Sequence, residues 1–218
     1  MLKKFYNEKS EIIEAGIDEA GRGPMFGRVY AAAVILPKDD SFDHSLMKDS
    51  KRFHSKKKIT DAYEYIKKNA IAYSVCFADE KKIDDINIRR ATLDTMNQCI
   101  KNLKIKPDFL LVDGNDFPSY VNFNSKNEWE EIPHVCVKGG DNVYTSIAAA
   151  SILAKVERDN YIENLCDNNN ELEERYNIRK NKGYGTKKHI EGIEKYGITE
   201  WHRKSFGICK NKKKIDVV

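Results

Sequence analysis

Residues 11–37 read EIIEAGIDEAGRGPMFGRVYAAAVILP, two apolar segments that flank a glycine-rich bend. Residues 11–20 predict a strand that ends with the acidic pair Asp18 and Glu19. GRGP predicts the bend, and residues 29–37 predict the partner strand across it. Chemistry often lies where a rigid strand ends in a loop, so this edge of the predicted sheet is the first candidate for a functional site.

The rest of the chain alternates short apolar runs with helical periodicity. Further strands are predicted at residues 71–79, 108–115 and 133–141. Helices are predicted from the N-cap Ser55 to Asn69, around Ile88–Ile100, over Tyr144–Leu165, from Thr186 to Gly197, and after a cap at Thr199. The small residues of SIAAAS, 146–151, would let their helix lie close against the sheet. This order predicts an α/β core followed by a helical C-terminal extension.

Composition indicates a folded, soluble protein. The 218 residues are 40% hydrophobic and 33% charged, without the run of ~18 apolar residues that a membrane helix needs. Five scattered cysteines without a CxxC pair indicate a reduced, intracellular protein, and we expect a cytoplasmic location.

The net charge is +4, but basic residues concentrate toward the C-terminus. They are Arg175, Arg179, Lys180, Lys182, Lys187, Lys188, Arg203, Lys204, Lys210, Lys212, Lys213 and Lys214. Charge alone leaves a solvated surface and a nucleic-acid contact equally open.

Four carboxylates follow predicted strands: Asp18, Glu19, Asp113 in VDGN and Asp141 in KGGD. Converging carboxylates repel one another unless a cation lies between them, and Mg²⁺ prefers such oxygen ligands. Each motif alone is also typical of a plain turn. GRG is similarly either an ordinary turn or one that approaches a phosphate or sugar. No GxGxxG or GK[ST] motif supports a nucleotide cofactor.

GIDEAGRGP, DSK, VDGN, KGGD, SIAAASILAKVERD, NKGYGTKKH and HRKSF occur in this order between Glu14 and Phe206. Together they resemble ribonuclease HII, a prokaryotic-type member of the type 2 ribonuclease H family. The resemblance implies a ribonuclease H-like mixed sheet flanked by helices. We expect a catalytic core over residues 1–165, a helical substrate-binding extension over 166–208 and a basic, flexible tail over 209–218.

The resemblance also implies a chemistry. Such enzymes are metal-dependent endonucleases that cleave the RNA of RNA–DNA hybrids and incise 5′ of single ribonucleotides in duplex DNA. They use two Mg²⁺ or Mn²⁺ ions and leave a 3′-hydroxyl and a 5′-phosphate. The implied metal ligands and catalytic residues are Asp18, Glu19, Asp113 and Asp141. The implied substrate-binding residues are Gly21, Arg22, Gly23, Lys51 and Tyr184, and Ser151 and Lys155 match the helix after the last carboxylate.

Two alternatives stay open, a non-catalytic hybrid-binding module and a nuclease restricted to long hybrids, as in ribonuclease HIII. The four carboxylates favour an enzyme, because a binding module has no use for negative charge beside phosphate. The chain departs from the family pattern at Phe26, at Arg28 and at the extra glycine of KGGD. No sliding-clamp peptide is recognisable, and we expect a monomer without a membrane partner.

Overall fold

The computed structural model describes residues 2–50, 53, 55–123 and 128–214. The strands are β1 (Glu14–Ala20), β2 (Val29–Ile35), β3 (Ala72–Ala78), β4 (Phe109–Asp113), β5 (Tyr120–Phe123), β6 (Trp129–Ile132) and β7 (His134–Val137). The α-helices are α1 (Lys56–Asn69), α2 (Glu80–Ile86), α3 (Ile88–Asn102), α4 (Thr145–Asn168), α5 (Asn170–Tyr176), α6 (Ile178–Asn181) and α7 (Lys187–Tyr196). Among the helices in the described ranges, none has both the length and the apolar composition that a membrane crossing requires.

A mixed five-stranded sheet in the order β3-β2-β1-β4-β7 confirms the predicted α/β class. Its β1, β4 and β7 run parallel, with Ile17 opposite Val112 and Val112 opposite Cys136. The carboxyl ends of parallel strands meet at one edge of a sheet. Asp18 and Asp113 therefore lie side by side, one residue beyond the Ile17–Val112 pair.

The small residues at the start of α4 pack directly against β1, as the sequence predicts. A Cβ added to Gly16 in β1 would lie 2.2 Å from the backbone carbon of Ser146. Ile147, Ala148, Ala149 and Ala150 are fully buried. No side chain larger than hydrogen fits at position 16, so the helix backbone rests on the strand backbone.

The chain forms two compact units. Unit 1 comprises Met1–Ala20, Ala31–Cys76 and Leu93–Val156, and unit 2 comprises Gly21–Tyr30, Phe77–Thr92 and Glu157–Val218. The core of unit 1 includes Ala15, Ile17, Leu110 and Val112 on one side and Met96, Cys99 and Ile100 from α3 on the other. The core of unit 2 is Phe26, Ile162, Cys166, Leu172, Tyr176, Ile178, Ile193, Ile198 and Cys209. The sequence-based boundaries after residues 165 and 208 stay predictions.

The helix starts and stops near the C-terminus match the sequence only in part. The helix α7 ends at Gly197, which has a φ of 83°, but Thr186 at its N-cap makes no side-chain capping bond. The prediction of a helix after Thr199 is wrong. A turn follows this residue, and the Thr199 amide donates to Nδ1 of His202. Cys209, within the predicted tail, is buried, and Ile198 donates its amide to the carbonyl of Lys213.

Candidate active site

Asp18 is the centre of an acidic cluster in unit 1. Only 4% of it is exposed. Burial, and then the negative charges of Glu19 and Asp113, raise the pKa of Asp18 well above its usual range. Two hydrogen bonds oppose this effect: one from the side chain of Ser151, and one from the Glu19 amide, which donates to Oδ1 over 2.7 Å. The structure thus brings three of the four predicted carboxylates into electrostatic contact.

Asp113 is held by the loop that carries the fourth carboxylate. The amide of Gly140 donates to Oδ1 of Asp113 over 2.6 Å. A Cβ on Gly140 would lie 2.5 Å from Cδ1 of Ile147 and 3.4 Å from Oδ1 of Asp113. The second glycine of KGGD is therefore needed for close approach, and Asp141 follows it directly and is buried.

Sequence reasoning missed three polar residues beside the carboxylates. Asn142 donates from Nδ2 to Oδ1 of Asp141 over 3.1 Å and to Oδ2 of Asp49 over 3.2 Å. Ser50 lies 3.1 Å from Ser151, oxygen to oxygen, and both are buried. Asp49 and Ser50 are the first two residues of the DSK motif, in which only Lys51 is predicted from the sequence to have a role. Ser151, matched only to the helix, in fact contacts Asp18.

The donor set fits a hard divalent cation. Carboxylate oxygens are the ligands that Mg²⁺ and Mn²⁺ prefer, and a cation among them would offset the burial and the repulsion that together raise the pKa of Asp18. Throughout the described part of the chain, no three His, Cys, Asp or Glu side chains form a complete metal-binding group as they stand. The fit therefore rests on the chemistry of the donors and on the crowding around Asp18.

The glycine turn and Tyr184 meet in unit 2. Gly21 has a φ of 97°, a left-handed conformation that favours glycine. A Cβ on Gly23 would lie 3.3 Å from the Tyr184 ring, and the amide of Met25 donates to the carbonyl of Gly183 over 2.9 Å. Tyr184 is 52% exposed, whereas the preceding Gly183 is buried. The structure thus brings these predicted substrate-binding residues together.

The two bulky departures from the family pattern have structural roles in unit 2. Phe26 is fully buried, with its ring centroid 5.0 Å from that of His202. The guanidinium of Arg28 lies 4.0 Å from the ring centre of Phe77 and 4.4 Å from that of Tyr161. Such cation–π packing stabilises a half-buried charged side chain between aromatic rings.

Three other predicted residues complete the set. Lys51 lies outside the described residues, so its predicted phosphate contact stays a prediction. Lys155 is half-buried on α4, four residues after Ser151. Arg22, in the glycine turn, is exposed.

Comparison with solved structures defines the class. The ribonuclease H2 of Pyrococcus horikoshii OT3 superposes with a TM-score of 0.71 at 22% identity, covering 91% of this chain and 96% of that one. At this identity the likeness establishes the fold alone. The mixed sheet with acidic residues at the ends of adjacent strands is a ribonuclease H-like fold.

Sequence comparison identifies the family. The sequence model of ribonuclease HII matches residues 15–209. The ribonuclease HII of Christiangramia forsetii is 44% identical over 99% of this chain and 100% of its own length. That of Bacteroides thetaiotaomicron is also 44% identical, over 95% of both chains. The chain belongs to the ribonuclease HII family, and it is accordingly an endonucleolytic ribonuclease H.

Proposed function

We propose that this enzyme incises duplex DNA on the 5′ side of a single embedded ribonucleotide, besides cutting the RNA of RNA–DNA hybrids. The products would be a 3′-hydroxyl and a 5′-phosphate. The observation that carries the proposal is the close approach of the glycine turn to Tyr184. A Cβ added to Gly23 would lie only 3.3 Å from the Tyr184 ring. A glycine backbone beside an exposed aromatic ring can read a sugar from two sides.

Discrimination would depend on the sugar, because a ribonucleotide and its deoxy neighbours can carry identical bases. Main-chain groups of Gly21–Gly23 would meet the 2′-hydroxyl without an intervening side chain. The exposed ring of Tyr184 would pack against the deoxyribose on the 3′ side, where an additional hydroxyl would collide with it. The pair would therefore favour a junction from RNA to DNA over continuous RNA.

Hydrolysis would be carried out at the carboxylate cluster. Asp18, Glu19, Asp113 and Asp141 would hold Mg²⁺ or Mn²⁺, in a two-ion arrangement. The ions would make an attacking water more acidic and offset charge on the departing 3′ oxygen. Ser151 and the Glu19 amide would keep Asp18 oriented, and the Gly140 amide would do the same for Asp113. No protein side chain would act as the nucleophile.

Affinity for the duplex would come from basic residues that contact phosphates. Lys188, Lys204 and Lys210 of unit 2 are exposed. Phosphate contacts of this kind are independent of sequence and weaken as salt rises. We expect the enzyme to act as a monomer in the cytoplasm.

Cleavage of an end-labelled duplex carrying one ribonucleotide tests the proposal. We expect a nick 5′ of the ribonucleotide that requires Mg²⁺ or Mn²⁺ and disappears in Asp113→Asn. The exposed Asp61→Asn on α1 is the matched control and should leave the nick intact. Cutting only within a long hybrid would instead support a ribonuclease HIII-like preference. Binding in EDTA with no cleavage of either substrate would support a non-catalytic module.

A further inference from the structure

Arg203 is a fully buried arginine whose partners are the main chain of the glycine turn. Its Nη2 donates to the Gly21 carbonyl over 2.6 Å, and its Nη1 donates to the carbonyls of Arg22 and Pro24 over 3.1 and 2.7 Å. Its Nε donates to the carbonyl of Gly27 over 2.8 Å. One side chain therefore binds four carbonyls of residues 21–27, all of them in unit 2.

The guanidinium is suited to this task and lysine is not. Its planar fork presents several donors in fixed directions, whereas an ammonium is a single point on a flexible stem. Burial, and then the nearby charge of Arg158, lower the pKa of Arg203 to about 9, so the group stays charged at neutral pH. The four carbonyls thus solvate a positive charge, and the charge in turn fixes their directions.

A second buried link reaches the main chain of Tyr184. Nδ1 of His202 accepts from the Thr199 amide over 2.9 Å, so the proton of a neutral His202 ring lies on Nε2. Nε2 of His202 is 3.1 Å from Nε2 of His189, which must then accept. His189 consequently carries its own proton on Nδ1 and donates it to the Tyr184 carbonyl over 3.0 Å. Each neutral ring therefore accepts a hydrogen bond at one nitrogen and donates one from the other.

Burial supports the neutral form of both rings. Arg203 and His189 are fully buried and His202 is 1% exposed. Burial lowers the pKa of both histidines, and that of His202 to about 3. Arg203 thus connects the HRK segment to the glycine turn, and the His202–His189 pair connects it to Tyr184. The proposed function assigns sugar recognition to the turn and to Tyr184.

We propose that Arg203 and the His202–His189 pair are positioning residues for ribonucleotide recognition. Arg203 fixes the carbonyls, and through them the peptide planes, of Gly21 and Arg22, while His189 fixes the main chain at Tyr184. This inference rests on the proposed function, in which Gly21–Gly23 and Tyr184 read the sugar. Neither Arg203 nor the histidines touch the substrate themselves.

The test compares kcat/KM on two substrates, a DNA duplex with one ribonucleotide and a long RNA–DNA hybrid. Arg203→Lys should lower the preference for the single ribonucleotide by ~10–100-fold, the scale at which small misplacements reduce rates. The control Arg175→Lys removes an arginine that binds Glu171 on its own helix, and it should keep the wild-type preference. A general loss of folded enzyme would lower both rates together and leave their ratio unchanged.

The histidine link has its own pair of variants. His189→Asn keeps a donor near the position of Nδ1, whereas His189→Leu removes it. We expect Asn to retain more of the preference than Leu. These variants also test the proposal if Arg203→Lys does not fold. Hydrogen exchange should show faster exchange of the amides of residues 21–23 and 25–27 in Arg203→Lys.

Two negative results are distinguishable. If the wild type nicks at a single ribonucleotide and all variants keep its preference to within about twofold, the positioning role is wrong and the proposed function stands. If the wild type does not nick there, the proposed function is wrong, and the inference built on it is overturned too.

Discussion

The amide of Gly140 donates a 2.6 Å hydrogen bond to Oδ1 of Asp113, so one predicted carboxylate is oriented by the loop that carries another. Glycine favours this bond, because a Cβ at this position would lie 2.5 Å from Cδ1 of Ile147 and 3.2 Å from Cβ of Val137. A hydrogen bond to a charged carboxylate is stronger than one between neutral groups. The spacing between strand end and loop is thereby fixed before any substrate binds.

Gly140→Ala should therefore reduce cleavage by ~10–100-fold, because the loop must shift and Asp113 loses its orientation. The closest contact would be with the terminal methyl group of Ile147, which valine lacks, and a second contact of 3.2 Å would be with Cβ of Val137. The double variant Gly140→Ala/Ile147→Val should recover much of the activity, and Ile147→Val alone should be nearly as active as wild type. Steady-state cleavage assays of the three variants measure this coupling. Equal losses in the single Gly140→Ala and the double variant would contradict the steric explanation.

Asp18→Asn should lose activity and gain stability. The charged carboxylate is destabilised by burial and by its acidic neighbours, and an amide of the same shape removes that cost while keeping an acceptor for the Glu19 amide. We expect more than ~100-fold slower cleavage and, in EDTA, a gain of ~1–2 kcal/mol, which is roughly 2–8 °C in Tm for a chain of this size.

The pH dependence checks the sign of this gain. Because the pKa of Asp18 is raised on folding, the wild type gains stability as the carboxyl takes up a proton in acid. The advantage of Asp18→Asn should therefore be greatest near neutral pH and shrink as pH falls. Asp61→Asn, at an exposed ion pair, should show neither effect in the same thermal melts. An advantage that is constant across pH would argue against charge as its origin.

Cys76 should react with alkylating agents at a lower pH than an ordinary cysteine. Hydrogen bonding from Cys99, with smaller contributions from Ser74 and Asn102, lowers the pKa of Cys76 to about 6, although burial opposes this. Nδ2 of Asn102 donates to the Cys76 sulfur over 3.5 Å. The thiolate is the reactive form, so alkylation should rise through pH 6 and level off above pH 7.

Cys136 is a matched control for Cys76. Both are half-buried and lie in the outermost strands of the sheet, but burial raises the pKa of Cys136. Iodoacetamide at pH 7 followed by peptide mass spectrometry should label Cys76 ahead of Cys136. Asn102→Ala should slow the labelling of Cys76. Preferential labelling of Cys136 would contradict the prediction.

His202 should make the protein less stable in mild acid. Its folded pKa of about 3 lies below the ordinary value of 6.5, so the unfolded chain binds a proton that the folded chain does not. The free energy of unfolding should fall as pH drops below about 6.5, by up to ~1.4 kcal/mol per pH unit from this group. Urea unfolding at pH 7, 6 and 5 measures the slope.

His202→Asn keeps an acceptor for the Thr199 amide and removes the titrating ring. It should be less stable than wild type at pH 7, and its stability should depend less on pH down to pH 5. His134→Asn, in β7, controls for the loss of an imidazole in unit 1. An unchanged slope in His202→Asn would show that the acid sensitivity has another source.

The carboxylates could be located from the sequence because each follows an apolar run that ends in a turn motif. Such a strand end is recognisable from neighbouring residues alone. Their proximity could not be predicted from periodicity, because it depends on the parallel pairing of β4 with both β1 and β7, in which Glu14 lies opposite Phe109 and Leu110 lies opposite His134. The hairpin of β5 and β6 was not predicted. Its four-residue strands are too short for alternation to be distinctive.

Arg203 marks a different limit of sequence reasoning. It lies among lysines and was grouped with the surface charges, yet it is fully buried. Its partners are backbone carbonyls, which every residue possesses, so no complementary acidic residue in the sequence points to it. A buried arginine of this kind becomes visible only when the fold is known. The motif HRKSF carried a correct family resemblance without revealing what its arginine does.

The bond from Arg203 to the Gly21 carbonyl spans 182 positions of the chain and has a consequence for biosynthesis. The turn is synthesised before its partner, which follows about 10–35 s later at 5–20 residues per second. Until then the turn lacks the side chain that orders its carbonyls. A nascent chain would thus be unable to discriminate the sugar until translation has passed residue 203, so selectivity would arise later in synthesis than the turn itself.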